Sequence, residues 1–286
     1  MSKREDKKKI GRKKRGEIIK ADMVPYIDYS TNQLIEMLES PEAQKRTIAA
    51  MMLGDKREKE VIEPLCYSLK IEKALYSRIA ISEALGKMGE SAVVPVADLL
   101  GQIGNNQEIE LPKKYFNKKS YPLVRDMAAR TLVKIGKPAT TYLIQLLESE
   151  KDIFIKQQAI DALGSIASKT GDYRSLKPII NCFDNIAGIN QEDINLSDEN
   201  MDKVTLWKII RSLSAFKNSK EAVGCIILVL NNFPDPQLQW ESARSLGQIG
   251  VSSPEVLEIL SKMEESDDIE IKKAAKNAMI SLEKDL

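Results

Sequence analysis

The sequence predicts an all-α chain built as a right-handed α-α superhelix of stacked helix pairs. Three observations predict it: a short helical phrase recurs seven times, its apolar anchors keep a nearly constant step, and each full copy is followed by a second amphipathic stretch. The clearest copy is Val124-Arg125-Asp126-Met127-Ala128-Ala129-Arg130-Thr131-Leu132-Val133-Lys134-Ile135-Gly136. Relatives run Arg78 to Gly89, Ile155 to Ile166 and Leu238 to Gly250, with weaker copies at Lys45 to Gly54, Thr205 to Phe216 and Ile271 to Leu282. The anchors Leu53, Leu85, Leu132, Leu163, Leu213, Leu246 and Met279 lie 32, 47, 31, 50, 33 and 33 residues apart. A unit of about 32 residues therefore repeats, as in stacked repeat architectures. The two long steps mark insertions near 104–120 and 187–203.

The elements follow in order. Residues 1–20 form a basic tail, expected to be disordered, and 21–30 a linker. The repeat array spans 31–286 and opens with a lone helix, Leu34 to Ser40, whose pattern mimics Leu143 to Ser149. In the clearest first helix, Val124, Ala128, Thr131, Leu132 and Ile135 share one face at about 100° per residue. Small residues at Ala128 and Ala129 let neighbouring helices approach closely. Gly89, Gly136 and Gly250 end first helices, where a left-handed cap costs little. Second helices follow at Val61–Leu69, Val93–Leu100, Ala139–Leu147, Leu176–Phe183, Ala222–Leu230 and Glu255–Met263. Pro64, Pro95, Pro138, Pro178 and Pro254 sit near their starts, where a missing N–H does least harm. The last copy, Ile271 to Leu282, lacks glycine and carries Lys272, Lys273 and Lys276, as a polar terminal helix should. The expected order is one half-repeat, six full repeats and one half-repeat.

The arginine-x-x-alanine-alanine-x-x-leucine-glycine-x-isoleucine-glycine phrase, over about 40–286, resembles the HEAT-like repeats first associated with phycobilisome lyases. That resemblance implies the fold and little chemistry, because the repeat serves enzymes, adaptors and scaffolds alike; this chain looks like a non-lyase member. Arg46, Arg78 and Arg125, with Lys156 next, share one repeat position, where the resemblance implies a structural ladder between repeats rather than a row of ligand contacts.

Of the 286 residues, 43% are hydrophobic and 30% charged, and none is histidine. Lacking histidine, the chain has no Ser-His or Cys-His nucleophile and no histidine metal ligand. The HEAT-repeat hydroxylases that hold iron through His-Glu pairs are therefore not its model. No phosphate loop or dinucleotide fingerprint occurs, and no apolar run reaches the ~20 residues of a membrane span. No catalytic residue, metal or cofactor is expected. Three scattered cysteines, Cys66, Cys182 and Cys225, read as buried reduced thiols. With no signal-peptide core at the start, a cytoplasmic location is expected. The acidic stretch Glu192 to Asp202 loosely mimics a calcium loop, but Asp198 stands where glycine is needed and Val204 where glutamate is needed. A solvated loop is the better reading.

Three surfaces are candidates for binding. Residues 1–20 carry ten Lys/Arg against three acids, a net +7 in a chain of net +1, which leaves −6 for the rest. Lys7, Lys8, Lys9, Arg12, Lys13, Lys14 and Arg15 could attract nucleic acid or another polyanion, or dock on the chain's own acidic body. The first insertion carries Tyr115 and Phe116 among lysines, and the second carries five acids; together they could clamp a polar partner or attract each other. Trp207 and Trp240 share one repeat position on the outward face of the wheel. They are expected to form an exposed aromatic patch unless an insertion covers them. On the second helices, Tyr67, Asp98, Gln145 and Asn181 occupy equivalent exposed positions and would line a concave groove. The function expected is a non-catalytic scaffold holding a protein or peptide on that groove. Alternatives are a nucleic-acid-associated protein recruited by its tail, and a small-ligand or lyase-like protein using second-insertion carboxylates.

Overall fold

The computed structural model describes residues 3–102, 108–118, 120–187 and 203–284, with backbone only for 3–7 and 187. Among these it is all-α, without a strand. The chain forms two compact units, one of residues 1–105 with 126–139 and one of residues 106–125 with 140–286.

The first unit holds α1 (Lys3–Lys14), α2 (Thr31–Met37), α3 (Ala43–Lys56), α4 (Ile62–Ile71), α5 (Leu75–Met88), α6 (Val93–Ala97) and α7 (Met127–Ile135). Helices α3, α5 and α7 pack side by side as one layer, with α2, α4 and α6 against them as a second. The opening helix starts where expected, because Ser30 and Gln33 form a capping box that satisfies its first N–H groups. Helix α7 begins at Met127 rather than Val124, since the Asp126 carboxylate caps it, accepting the Ala129 N–H at 2.8 Å. Helix α6 is shorter than the predicted Val93–Leu100: its chain turns after Ala97.

The second unit takes α8 (Lys137–Ser149) from Thr140 onward, then α9 (Ile153–Thr170), α10 (Leu176–Ala187), α11 (Lys203–Leu213), α12 (Lys220–Asn232), α13 (Pro236–Ile249), α14 (Pro254–Glu264) and α15 (Ile269–Lys284). Helices α9, α11, α13 and α15 form its first layer; α10 and α12 back α11, α12 backs α13, and α14 backs α15. Asp152, Ser219 and Ser253 cap α9, α12 and α14 through their side chains, each worth about 1 kcal/mol.

The anchors Leu53, Leu85, Leu132, Leu163, Leu213 and Leu246 are wholly buried, so truncating one costs about 2–5 kcal/mol. Met279 in α15 is only half-buried; there Ala275, Ala278 and Leu282 fill the seam. The layers come together through small residues. A Cβ built on Gly247 of α13 would meet Ala278 Cα of α15 at 2.6 Å, and one on Gly54 of α3 would meet Ala84 of α5 at 2.8 Å. The glycine after the anchor leucine is thus a contact point between helices.

The tail departs from expectation. Rather than being disordered, Lys3–Lys14 is helix α1, lying against α3. The chain leaving it is anchored by the Arg15 carbonyl, which accepts the Tyr76 N–H at 2.9 Å, and by Gln44 Nε2, which donates to the Glu17 carbonyl at 2.9 Å. Gly16 turns there with φ +91°, buried against the hydroxyls of Thr47 and Ser77 with no room for a side chain. Docking fixes a segment whose composition alone would leave it unfolded. The linker is also ordered, as a 3-10 helix over Lys20–Tyr26.

All three cysteines are buried and free. Burial pushes the Cys66 thiol up to about 12 and that of Cys225 to about 11, and raises that of Cys182. They are inert thiols, as expected.

Two glycine substitutions in the second unit should have opposite signs. Gly247→Ala forces a methyl into Ala278 and should destabilise the chain by about 1–3 kcal/mol. Gly224→Ala, in α12 with open space around it, should stabilise by about 0.5–1 kcal/mol. Urea midpoints followed by circular dichroism check both, and a Gly247→Ala midpoint at or above wild type would contradict the packing described.

Candidate functional site

In the first unit, two packed helices of the second-helix layer, α4 and α6, each expose large apolar side chains. Leu65, Cys66 and Leu69 bury one face of α4, which turns Tyr67 and Ile71, four residues apart, to solvent at 61% and 57% exposure. On α6, which touches α4, Val94 is 47% exposed, and Asp98 follows one turn later, also exposed. Beside Ile71 lies a cavity of about 320 Å³ bordered by Leu38, Ser40, Pro41 and Ser68. Its floor is an ion pair: Arg46 Nε and Nη2 donate to the two Glu72 oxygens at 2.7 and 2.9 Å, while Nη1 donates to the Ser40 carbonyl at 2.7 Å. Burial favours the neutral Glu72 acid, but the Arg46 hydrogen bonds outweigh it and hold the carboxyl below its ordinary value. Arg78 donates through Nε to the Glu72 carbonyl at 2.8 Å. The two aligned arginines thus converge on one chain reversal, as a structural ladder requires. Gln145 on α8 and Asn181 on α10 are exposed as predicted, in the second unit.

The tryptophan expectation is overturned. Trp207 and Trp240 are buried, at 4% and 3% exposure. The wheel placed them opposite the apolar seam correctly, but the first insertion lies across that face. Tyr115 meets Trp240 edge-on, with centroids 5.6 Å apart. Arg211 stacks over Trp207 at 4.1 Å, and Arg244 over Phe116 at 4.9 Å. Tyr115 and Phe116, expected to face a partner, are half-buried against the chain's own helices.

Beneath the insertion lies a buried ionic cluster that sequence reasoning missed. Lys208 Nζ donates to Asp161 Oδ2 at 2.5 Å and to Glu108 Oε2 at 3.1 Å. Arg211 donates to Asp161 Oδ1 and faces Glu108 at 3.8 Å; Arg125, half-exposed, reaches Glu108 at 3.0 Å. Arg125 therefore pins the insertion rather than another repeat. Arg244 Nη1 donates to Glu241 Oε1 at 2.8 Å. Burial alone would raise the Asp161 carboxyl, but Arg211 and Lys208 outweigh it and hold its pKa down. For Glu241 burial wins over Arg244 and Arg211, and its pKa is raised. A signal was present in the sequence: Trp207, Lys208 and Arg211 recur as Trp240, Glu241 and Arg244, offset by one 33-residue step. Charges repeating beside an outward tryptophan mark a face something must cover.

On the tail, Lys8, Lys9, Arg12, Lys13, Lys14 and Arg15 are exposed, and Lys7 lies in α1. Arg12 pairs with Glu17 at 3.6 Å, and Arg15 sits over the Tyr76 ring. The acidic second insertion and its calcium-loop pattern lie outside the described residues, as does any clamp it would form. Among the described residues no group of three or more Cys, Asp or Glu is placed to hold a metal ion, and no helix is long and apolar enough to cross a membrane.

A family model described as HEAT repeats matches residues 96–164 and 194–280. No curated protein matches the chain. Similar solved structures include an engineered protein (18% identity, covering 95% of this chain and 72% of that one, TM-score 0.41). Human deoxyhypusine hydroxylase in complex with glycerol is similar at 15% identity, with 89% and 84% coverage and a TM-score of 0.36. The complex of CpcE and CpcF of phycocyanin lyase from Nostoc sp. gives 19% identity, 91% and 96% coverage and a TM-score of 0.35.

The cluster makes stability depend on pH with opposite signs at two carboxyls. Asp161 has a folded pKa below its unfolded value of about 3.9. Its contribution is complete above that value and lost as pH falls through the lowered pKa. Asp161→Asn should therefore cost about 3–5 kcal/mol at neutral pH by stranding Lys208 and Arg211. Glu241 has a raised folded pKa, so its ionisation lowers stability as pH rises from about 4.3 through that raised value. Glu241→Gln should match wild type in acid and exceed it at neutral pH. Urea midpoints across this range decide; a Glu241→Gln chain weaker than wild type at neutral pH would refute the assignment.

Proposed function

The chain belongs to the HEAT repeats family, and from that premise we propose that it is a non-catalytic binding module whose second-helix face takes a protein or peptide partner. The observation carrying this reading is that α4 and α6, packed together in the first unit, leave Tyr67, Ile71 and Val94 exposed. Lone exposed apolar residues are ordinary; three large ones on two helices that pack together, one of them bordering a cavity, favour an interaction surface. Stacked repeats offer such extended faces for binding. Tyr67 supplies a broad amphipathic contact of the kind enriched at hot spots, and Asp98 sets a polar edge. The cationic helix α1 belongs to the same unit and adds charge that an anionic stretch of the partner would meet. The absence of histidine from the sequence favours binding over catalysis.

The test is co-purification of tagged full-length chain from its own host, with and without crosslinker, beside a Tyr67→Ser/Ile71→Ser variant. Exposed substitutions of this kind shift stability by about 0.5 kcal/mol or less each, so the variant stays folded. A stoichiometric macromolecule should accompany the wild type and fall at least ~10-fold with the variant, a loss of about 1.4 kcal/mol in binding. Recovery of the chain alone from both, even crosslinked, would sink the reading.

A further inference from the structure

We propose that one end of the first unit, built from α1 and the 3-10 helix Lys20–Tyr26, docks on the surface of an anionic lipid bilayer. Both elements lie at the N-terminal turn of α3. Ile10, Lys13 and Lys14 of α1 border a cavity of about 360 Å³ together with Pro41, Glu42, Ala43 and Gln44. Gln44 holds the Glu17 carbonyl, which lies in the chain between the two elements. Tyr26 and Tyr29 lie near enough to Lys45, on the same turn, to act on its ammonium. None of Tyr67, Ile71 and Val94 takes part, so this surface and the α4–α6 face stand or fall separately.

The 3-10 helix exposes apolar side chains in register. Residues three apart eclipse one another in such a helix, and the Ile27 N–H continues the pattern by donating to the Val24 carbonyl at 3.3 Å. Ala21, Val24 and Ile27 therefore share one side, and all three are exposed, Val24 at 63% and Ile27 at 70%. Ile19, which caps the helix, is exposed as well, and the helix buries none of its own residues. Tyr26 and Tyr29 flank Ile27 in the chain and are half-buried, edge to face with centroids 5.1 Å apart. Amphipathic rings of this kind settle at the headgroup level of a bilayer.

Charge names the occupant. From Lys8 to Arg15 every residue except Gly11 is fully exposed, so α1 rests lightly on α3 and keeps its cations in solvent. Lys8, Lys9, Lys13 and Lys14 pair with no acid among the described residues; Arg12 meets Glu17. Residues 1–20 carry net +7 and the rest of the chain −6. An anionic surface therefore attracts this end and repels the remainder, which sets the orientation. A nucleic-acid backbone would satisfy the lysines but leave the aliphatic stripe in water, and residues 7–15 offer no ring for bases to stack on. A bilayer rewards both features: cations meet the headgroups, and aliphatic side chains enter the boundary between headgroups and acyl chains. Stable attachment takes two such signals, and here they adjoin.

The test floats the full-length chain with vesicles of phosphatidylcholine alone and of phosphatidylcholine mixed with phosphatidylglycerol, at low and high salt. The chain should bind the mixed vesicles at least ~10-fold more tightly than the neutral ones, and salt should weaken it. Val24→Ser/Ile27→Ser, at exposed positions that leave the fold intact, should weaken binding at least ~10-fold. Lys13→Gln/Lys14→Gln should weaken it about 10–30-fold. Val24→Trp reports contact directly: its emission should move to the blue with mixed vesicles and not with polyuridylate. Circular dichroism checks that each variant is folded; where a paired variant is not, the Val24→Trp emission decides. No preference for the mixed vesicles, a folded paired variant that binds as wild type does, or a Val24→Trp emission unmoved by lipid or moved equally by polyuridylate would each overturn the proposal. Polyuridylate binding that survives the serine variant while vesicle binding is absent would assign this end to nucleic acid instead.

Discussion

No helix pair in this chain can close its own apolar face; each seam is finished by the next layer. A pair of about 30 residues is too small for an independent core, so within each unit the side of a first helix that its own second helix leaves uncovered presses against the following first helix. That requirement explains why small residues gather where they do. Gly54 admits Ala84 in one unit, and Gly247 admits Ala278 in the other, at distances that leave no space for even a methyl group. The anchor leucines are buried only because backbones come this near. Specific rotamers matter less to such a stack than the ability of helices to approach.

The first insertion uses the opposite strategy. Where the seams are dry and apolar, the face of α11 and α13 beneath residues 108–125 is dense in charge. Lys208 and Asp161 are fully buried, with Arg211 and Glu108 nearly so. Isolated, each would be very costly to desolvate; together they satisfy one another, and an insertion carrying Glu108 completes the set. Buried ion pairs are poor sources of net stability but selective ones, because a misplaced insertion would strand a cation. The insertion is therefore held in one position by electrostatic complementarity, while aromatic contacts with Trp240 and Arg244 supply area.

Much of the fold was legible because it is written in period. The 32- or 33-residue steps, the leucine–glycine anchors and the prolines near second-helix starts located the helices to within a few residues. What misled was everything that depends on a segment outside the period. The wheel set Trp207 and Trp240 opposite the seam, but an aperiodic stretch gives no clue where it will lie, and it lay on them. The tail failed for a related reason: its charge density argues for disorder, and nothing local announces that Gly16 will dock against Thr47 and Ser77. Tyr67 and Asp98 were read correctly as exposed because their surroundings are wholly set by their own helices. Asp161, Lys208 and Glu241 were passed over because a single charged residue on a helix ordinarily points to water.

The Glu108–Lys208 bridge joins residues 100 positions apart, whereas most contacts in a stack of this kind link neighbouring elements. Local contacts let such arrays zip together quickly from any nucleus, but a bridge of that span must wait until the intervening chain is in place. Helices α9, α11 and α13 therefore acquire a late fastening that ties them into one cooperative block. Loss of that fastening would loosen the block toward piecewise, helix-by-helix opening while leaving every repeat able to form.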